Sequence, residues 1–154
     1  MTSAKPAAGN ALRLMLEGGA PPPCSQTLGF KSARVEADSV VLEYEPGENL
    51  LNPIGTLQGG IVAAILDDVF SVAILARLAV DDSAPTVEMK VSYLQPVLAG
   101  RVRGIGRVLK QGRSMAFVEA ELRSLDGVLL AKASASVVIR KGAGIPIEAG
   151  KALE

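Results

Sequence analysis

The sequence has no histidine, no tryptophan, one cysteine and an aromatic content of only 3%. Without histidine, the chain cannot build a Ser-His-Asp or Cys-His nucleophilic system, a histidine-dependent metal site or the helical His-Glu-x-x-His zinc motif. With Cys24 alone, it can form neither an intramolecular disulfide nor a Cys-x-x-Cys motif. This cysteine usage is typical of a reducing compartment and predicts a cytoplasmic location.

Neither sign of charge is in excess, because 16 basic residues balance 16 acidic ones. A net charge of zero gives no general reason to expect nucleic acid or an anionic membrane as a partner. The longest apolar run is interrupted by Asp67, Asp68 and Arg77. Since each charge at mid-membrane is unfavourable by about 2.5–3.5 kcal/mol on insertion scales, a membrane-spanning segment is not expected.

The central stretch of the chain is a loop over residues 52–58, a glycine-marked helix start at Gly59 and Gly60, and a nearly all-apolar pattern over residues 61–79. A helix that is apolar almost all the way round must be surrounded by other structure. Asp67 and Asp68 lie about 100° apart around such a helix, so they cannot face the same wall. Because unpaired buried carboxylates are unfavourable, either these two have partners or the helix lines a site.

Alternating apolar residues flank this helix on both sides. Residues 27–45 predict a β-hairpin with a turn near residues 37–39, and the later chain predicts strands at 86–93, 100–110, 114–124 and 128–140. This order indicates an α+β architecture, with an antiparallel sheet wrapped around one helix. We divide the 154 residues into an N-terminal extension (1–26) with a short helix near residues 11–16, one domain (27–141) and a flexible C-terminal tail (142–154). No signal peptide is expected in the N-terminal extension.

Several separated motifs carry a family resemblance that covers about residues 50–139. They are Asn52-x-x-Gly55-Thr-Leu-Gln58-Gly-Gly60, then Asp67, Val87-Glu-Met-Lys-Val-Ser-Tyr-Leu-Gln-Pro96, Gly100, Lys110-Gln-Gly-Arg113 and Asp126-Gly127. In this order and spacing they resemble the hotdog-fold acyl-CoA thioesterases, and most closely the phenylacetate-degradation (PaaI-like) branch. The resemblance implies about six antiparallel strands around the central helix, and homodimers paired into homotetramers with active sites shared between subunits. It also implies hydrolysis of an acyl-CoA or aryl-CoA thioester without a metal or redox cofactor.

The chain departs from this family at one position. The family usually has histidine where this chain has Gln58. Glutamine offers an amide donor and acceptor but cannot titrate, so a proton-accepting role is lost while an orienting role could survive.

Asp67 is the candidate nucleophile or general base. On a helical net it shares a stripe with the small residues Gly60, Ala63 and Ser71, which leave room for a cleft, whereas Asp68 lies among larger apolar residues. For Asp68 we expect a structural hydrogen bond or ion pair instead. Whether Asp67 attacks the thioester directly or deprotonates water is open.

The helix start supplies the second part of the candidate site. The backbone N–H of Gly59 is a suitable oxyanion donor, although close packing of the helix start against the sheet would explain the same glycines. By resemblance, Asn52 would hydrogen-bond near the reacting centre, Thr86 would position the attacking water, and Gln58 would orient the thioester carbonyl. Without the resemblance, Asn52 is equally well explained as a turn residue, and Thr86 is better explained as an ordinary strand threonine.

Coenzyme A carries phosphates, so a local basic feature is expected. Lys110 and Arg113 at a strand bend are the best candidates, and Gly60 and Ser71 complete the predicted substrate-binding set. Arg140 and Lys141 form a weaker cluster. The prediction is an acyl-CoA thioesterase of open acyl preference; its rivals are a catalytically weak acyl-CoA-binding protein, a hydratase or dehydratase (disfavoured without histidine), and a purely structural oligomer.

Overall fold

The computed structural model describes residues 19–142. Its elements, in chain order, are α1 (Pro23–Thr27), β1 (Phe30–Val35), β2 (Val40–Tyr44), a single 3-10 turn (Glu48–Leu50), α2 (Gly59–Leu75), β3 (Thr86–Tyr93), β4 (Val102–Gln111), β5 (Met115–Ser124) and β6 (Leu129–Val138).

The six strands form one antiparallel sheet in the order β1-β2-β4-β5-β6-β3. Helix α2 packs against β2, β3, β4, β5 and β6, so the sheet curls around it. The predicted α+β class and hotdog architecture are therefore confirmed. Among the described residues, β3 pairs with β6 alone and lies at the end of this order, so it is an edge strand of the sheet that they form.

The core lies between α2 and the concave face of the sheet. Ile65, Leu66, Val69 and Phe70 of α2 are fully buried. They pack on the small, inward-facing residues of the central strands, among them Ala120 and Ala133, which have no more than 1% of their surface exposed. Small side chains on the sheet leave space for the bulky side chains of the helix. A helix that is apolar almost all the way round can therefore be buried against the sheet.

Two glycines of β4 are required by this packing. A Cβ at Gly104 would collide with the side chain of Val69, and one at Gly106 would stand 2.7 Å from the carbonyl oxygen of Val69. These glycines therefore let the helix approach the sheet closely, which is the usual reason for glycine inside a strand.

The predicted element boundaries need modest corrections. Helix α2 ends at Leu75 and not near 79, because the amides of Arg77 and Leu78 bond to carbonyls three residues back as the chain turns towards β3. Strand β4 begins at Val102, since Gly100 adopts a φ of 119° that does not fit a strand. Strand β5 begins at Met115, and β6 spans Leu129–Val138 instead of 128–140.

Two features of the N-terminal region bear on the predicted domain division. Helix α1, which has proline at its first position, was not predicted and crosses the boundary placed after residue 26. The predicted helix near residues 11–16 and the tail from 143 onwards lie outside the described residues.

Within residues 19–142, no helix is long and apolar enough to cross a membrane.

Candidate active site

The start of α2 presents free backbone donors. Gln58 has φ −55° and ψ 136°, and its side chain makes no capping hydrogen bond. The amides of Leu57 and Gln58 are held by the carbonyls of Val97 and Leu50, which fixes the path of the loop into the helix. The amides of Gly59 and Gly60 have no acceptor among the described residues, as expected for the first N–H groups of a helix.

The two glycines at the helix start differ from the packing glycines of β4. A Cβ on Gly59 would meet only the ring of Tyr93, at an ordinary contact distance of 3.6 Å. A Cβ on Gly60 would meet nothing within 4 Å in the part of the chain that the structure describes. Packing within this portion of one protomer therefore does not explain glycine at either position, which favours the interpretation that something else approaches here.

Asn52 organises the loop before the helix. Its Oδ1 accepts hydrogen bonds from the amides of Ile54 (3.1 Å) and Thr56 (3.2 Å), and its Nδ2 donates to Oγ1 of Thr56 (2.8 Å). These contacts are those of a turn-forming asparagine. A role nearer the reaction stays a prediction.

An open cavity adjoins this loop and the helix start. Its volume is about 380 Å³, which is within the range of small-molecule pockets. It lies between three segments: the loop from Asn52 to Leu57, the first turn of α2 with Gly59 and Val62, and residues 93–97. The lining is mainly apolar, with Asn52, Thr56, Tyr93 and Gln95 as its polar groups.

Asp67 and Thr86, predicted separately, are in contact. Oγ1 of Thr86, the first residue of β3, donates a hydrogen bond of 3.0 Å to Oδ1 of Asp67 in the middle of α2. The aspartate is half-buried and the threonine is exposed, so the pair is accessible from one side. Ser71 lies one turn further along α2 and is also half-buried.

Asp68 has the structural hydrogen bond that was expected for it. Tyr44 of β2, which is fully buried, donates its hydroxyl to Oδ2 of Asp68 at 2.6 Å. Burial raises the pKa of Asp68, the hydrogen bonds from Tyr44 and Ser25 oppose this shift, and the nearby charge of Asp67 adds to it. Burial, followed by the charge of Asp68, also raises the pKa of Tyr44.

This shift gives a testable pH dependence of stability. The unfolded chain releases the proton of Asp68 near 3.8, whereas the folded chain holds it to higher pH. The contribution of Asp68 to the free energy of unfolding is therefore fully present below the unfolded pKa and is lost as pH rises through the folded pKa. Asp68→Asn keeps an acceptor for Tyr44 and removes the charge. Melting curves from about pH 4 to about pH 8 should show the Tm difference moving in favour of the variant as pH rises; a constant difference would contradict this assignment.

The two halves of the predicted site are far apart within one protomer. Gly59 and Asp67 are eight positions apart on α2, which corresponds to about 12 Å along the helix axis. An oxyanion donor and a nucleophile or base must each lie about 3 Å from a single reacting group. These two groups of one chain therefore cannot act on the same carbonyl.

The predicted phosphate-binding residues lie at the Thr86 end of the sheet. Lys110 is the penultimate residue of β4, and Arg113 lies in the hairpin that follows. Both are exposed, and neither has an ion-pair partner among residues 19–142. The amide of Ile139 bonds to the carbonyl of Ser114, and that of Val138 bonds to Pro85 next to Thr86. In the weaker cluster of Arg140 and Lys141, Nζ of Lys141 donates a 2.8 Å hydrogen bond to the buried carboxylate of Asp82.

Sequence reasoning missed two tyrosines, which are the only two in the chain. Tyr44 binds Asp68, and the hydroxyl of Tyr93 donates to the carbonyl oxygen of Gly59 at 2.9 Å. Buried or half-exposed tyrosine hydroxyls usually find a partner, so two such residues in a chain poor in aromatics were a usable signal.

No group of three acidic or cysteine side chains that could hold a metal was found in the described range, and the prediction of no cofactor stays untested.

The curled sheet around one helix, with a carboxylate and free amides along that helix, is the arrangement of a hotdog-fold hydrolase. Comparison with known proteins agrees: residues 54–131 match the thioesterase superfamily. The chain belongs to this superfamily, in its PaaI-like branch, and is a thioester hydrolase.

Three relatives illustrate the match. Human acyl-coenzyme A thioesterase 13 is 34% identical over 97 residues, which cover 60% of this chain and 67% of the relative. The 1,4-dihydroxy-2-naphthoyl-CoA hydrolase of Listeria monocytogenes is 22% identical over 116 residues, 75% of this chain and 94% of the relative. The crystal structure of a phenylacetic acid degradation-related protein from Ralstonia eutropha JMP134 superposes with a TM-score of 0.75 and 38% identity, over 84% of this chain and 99% of that one.

Proposed function

We propose that the chain hydrolyses acyl-CoA or aryl-CoA thioesters, with Asp67 as nucleophile or general base and the Gly59 amide as oxyanion donor. The observation that carries this proposal is the helix start, where free amides and absent side chains are not explained by packing among the described residues. A helix N-terminus that a carbonyl can approach closely is suited to stabilising the negative charge that develops on its oxygen.

The contact between Asp67 and Thr86 supports the second role. If Asp67 acts as a base, its carboxylate takes a proton from water, the water oxygen attacks the thioester carbon, and the carbon–sulfur bond breaks to release the thiol. The hydroxyl of Thr86, which donates a hydrogen bond to the carboxylate, would then position the carboxylate and the water relative to each other. If Asp67 attacks directly, its carboxylate oxygen bonds to the thioester carbon, the carbon–sulfur bond breaks and the thiolate leaves, and water then cleaves the resulting anhydride to restore the carboxylate. Both routes use the same residues.

Gln58 limits what the helix start can do. Its side chain is exposed and its amide can orient the thioester carbonyl, but it cannot exchange a proton during the reaction. This departure favours one rival function, an acyl-CoA-binding protein with weak or no turnover.

A site shared between two copies of the chain would bring the two groups together, although Gly59 and Asp67 of one chain are about 12 Å apart along α2. In a symmetric dimer, Gly59 of one protomer can face Asp67 of the other. Edge strand β3 supports such pairing, because an unpaired edge with exposed apolar side chains is rarely left uncovered; Val87 and Tyr93 are 61% and 55% exposed. We propose a homodimer on this basis, and pairing into homotetramers stays a prediction, as does the cytoplasmic location.

The proposed substrate class rests on the relatives and on the basic hairpin. Two of the relatives are named for coenzyme A thioesters. Lys110 and Arg113 have no carboxylate partner among residues 19–142 and lie at the same end of the sheet as Thr86, so they would be available to bind phosphate groups of coenzyme A. The apolar cavity beside Gly59 would take the acyl group. Gly60 and Ser71 do not line this cavity, and their contact with the substrate stays a prediction.

Thiol release tests this proposal. We expect turnover of at least one member of a panel of short-chain, long-chain, aryl and phenylacetyl CoA thioesters, followed with a chromogenic thiol reagent and unaffected by a chelator. Saturable binding of the same thioesters without thiol release, seen as a rise in Tm, would establish the rival binding function instead. Neither turnover nor binding would contradict both.

A further inference from the structure

Tyr93 makes a tertiary contact with the helix start that the reaction scheme above does not use. This tyrosine is the last residue of β3, and its hydroxyl donates a 2.9 Å hydrogen bond to the carbonyl oxygen of Gly59, 34 residues earlier in the chain. Its ring lies 3.6 Å from the point where a Cβ of Gly59 would stand. The side chain thus covers one side of Gly59 and also lines the cavity.

The bonded carbonyl belongs to a peptide unit that ends in a free donor. The carbonyl of Gly59 and the N–H of Gly60 are parts of one rigid, planar group, so fixing the oxygen also fixes the direction of the N–H. The Gly60 amide has no acceptor among the described residues. A hydrogen bond donated to the carbonyl also polarises the peptide, which makes its N–H a stronger donor.

We infer that Tyr93 is a positioning residue that orients and polarises the Gly60 amide, and that this amide is a second hydrogen-bond donor to the thioester oxygen beside that of Gly59. This inference rests on the proposed function, because it assigns Tyr93 to the same oxyanion site. The hydroxyl acts through the peptide, while the ring forms a wall of the acyl cavity, so the two parts of the side chain have separable effects.

Kinetics of two Tyr93 variants separate these parts. Tyr93→Phe keeps the ring and loses the hydroxyl, so kcat should fall about three- to tenfold, the scale of one hydrogen bond, with KM within about twofold. Tyr93→Leu loses both, so KM should also rise and the preference among acyl groups should change. Ser92→Ala is the matched control, since it removes a hydroxyl from the neighbouring residue of β3, whose side chain points to the opposite face. A Tyr93→Phe enzyme with wild-type kcat would overturn the inference and leave the thioesterase assignment intact.

A second readout does not depend on turnover. In protein labelled with ¹⁵N-glycine, which has 16 glycine positions, the Gly60 amide resonance should move in Tyr93→Phe and stay in place in Ser92→Ala. An unmoved Gly60 resonance in Tyr93→Phe would overturn the inference even if no thioester were hydrolysed. Failure of the proposed function, which is seen as absent turnover in the wild type, is thus distinguishable from failure of this inference.

Discussion

Replacing Asp67 by asparagine should lower kcat by at least about a hundredfold, the usual scale for removing a general base or nucleophile, while KM changes little. Asparagine has almost the same volume, and its Oδ1 can still accept the hydrogen bond from Thr86. It can neither take a proton from water nor attack the thioester carbon. The measurement is thiol release under saturating and limiting substrate, together with the Tm of each protein.

Asp68→Asn is the control for this experiment, because it makes the same chemical change at the adjacent residue. Asp68 faces Tyr44 and not Thr86, so its replacement should leave kcat near the wild-type value. The opposite result, near-normal turnover in Asp67→Asn together with loss in Asp68→Asn, would move the catalytic role to Asp68. A loss in both variants with a lowered Tm in each would indicate damage to the helix instead.

The distinction between these two aspartates shows how far the sequence can lead. The size of their helical neighbours separates a small-residue stripe from a bulky one, and the structure places Asp67 half-buried beside an exposed threonine and Asp68 beside a buried tyrosine. The hydrogen bond expected for Asp68 is found because helical geometry turns spacing into direction, while the catalytic role of Asp67 stays a prediction. The same arithmetic already implies that Gly59 and Asp67 of one chain are too far apart to act on the same carbonyl.

The partners of these groups could not be predicted in the same way. Tyr44 lies 24 residues from Asp68, and Tyr93 lies 34 residues from Gly59. Such contacts depend on how the sheet curls around the helix, and neither spacing nor propensity encodes that curvature. The end of α2 was misplaced for a related reason, since alanine, leucine and valine in residues 76–80 fit a helix as well as the turn that leads to β3.

Glycine also has different meanings that the sequence does not separate. Gly104 and Gly106 are required by contact with Val69. Gly59 and Gly60 were open to the packing interpretation, and the described residues leave room for a side chain at both. Only the positions of neighbouring atoms distinguish a glycine that packing needs from one left available to a ligand or a partner.

Gly59→Pro should reduce kcat by about a hundred- to a thousandfold, the effect of losing one oxyanion-hole donor, without unfolding the protein. Proline has no N–H, and it is well tolerated at the first position of a helix, where Gly59 lies. Gln58, at φ −55° and ψ 136°, already has the conformation that a residue before proline prefers. The substitution therefore replaces the amide hydrogen by the ring Cδ with little change in the backbone. Thiol release and Tm are the measurements.

Gly59→Ala is the matched control, because alanine keeps the N–H. Its methyl group would stand at an ordinary contact distance from the Tyr93 ring, so the protein should fold with a Tm equal to or above that of the wild type. We expect kcat within about tenfold of the wild type, since the methyl group points at Tyr93 and not along the N–H. Equal losses in the alanine and proline variants would show that glycine serves the approach of the substrate and that its amide is not the donor.

The two variants together test whether the site is shared between protomers. If Gly59 of one protomer acts with Asp67 of its partner, a heterodimer of Gly59→Pro and Asp67→Asn chains has one intact site and one site that carries both defects. Random pairing after co-expression then restores about a quarter of the wild-type activity, because half of the dimers are mixed and half of their sites are intact. If each protomer carried a complete site, every site would hold one defect and the mixture would stay as inactive as its parents. Recovery therefore requires that helix α2 contribute its amide end to one site and its carboxylate to the other, which is what the 12 Å between them predicts.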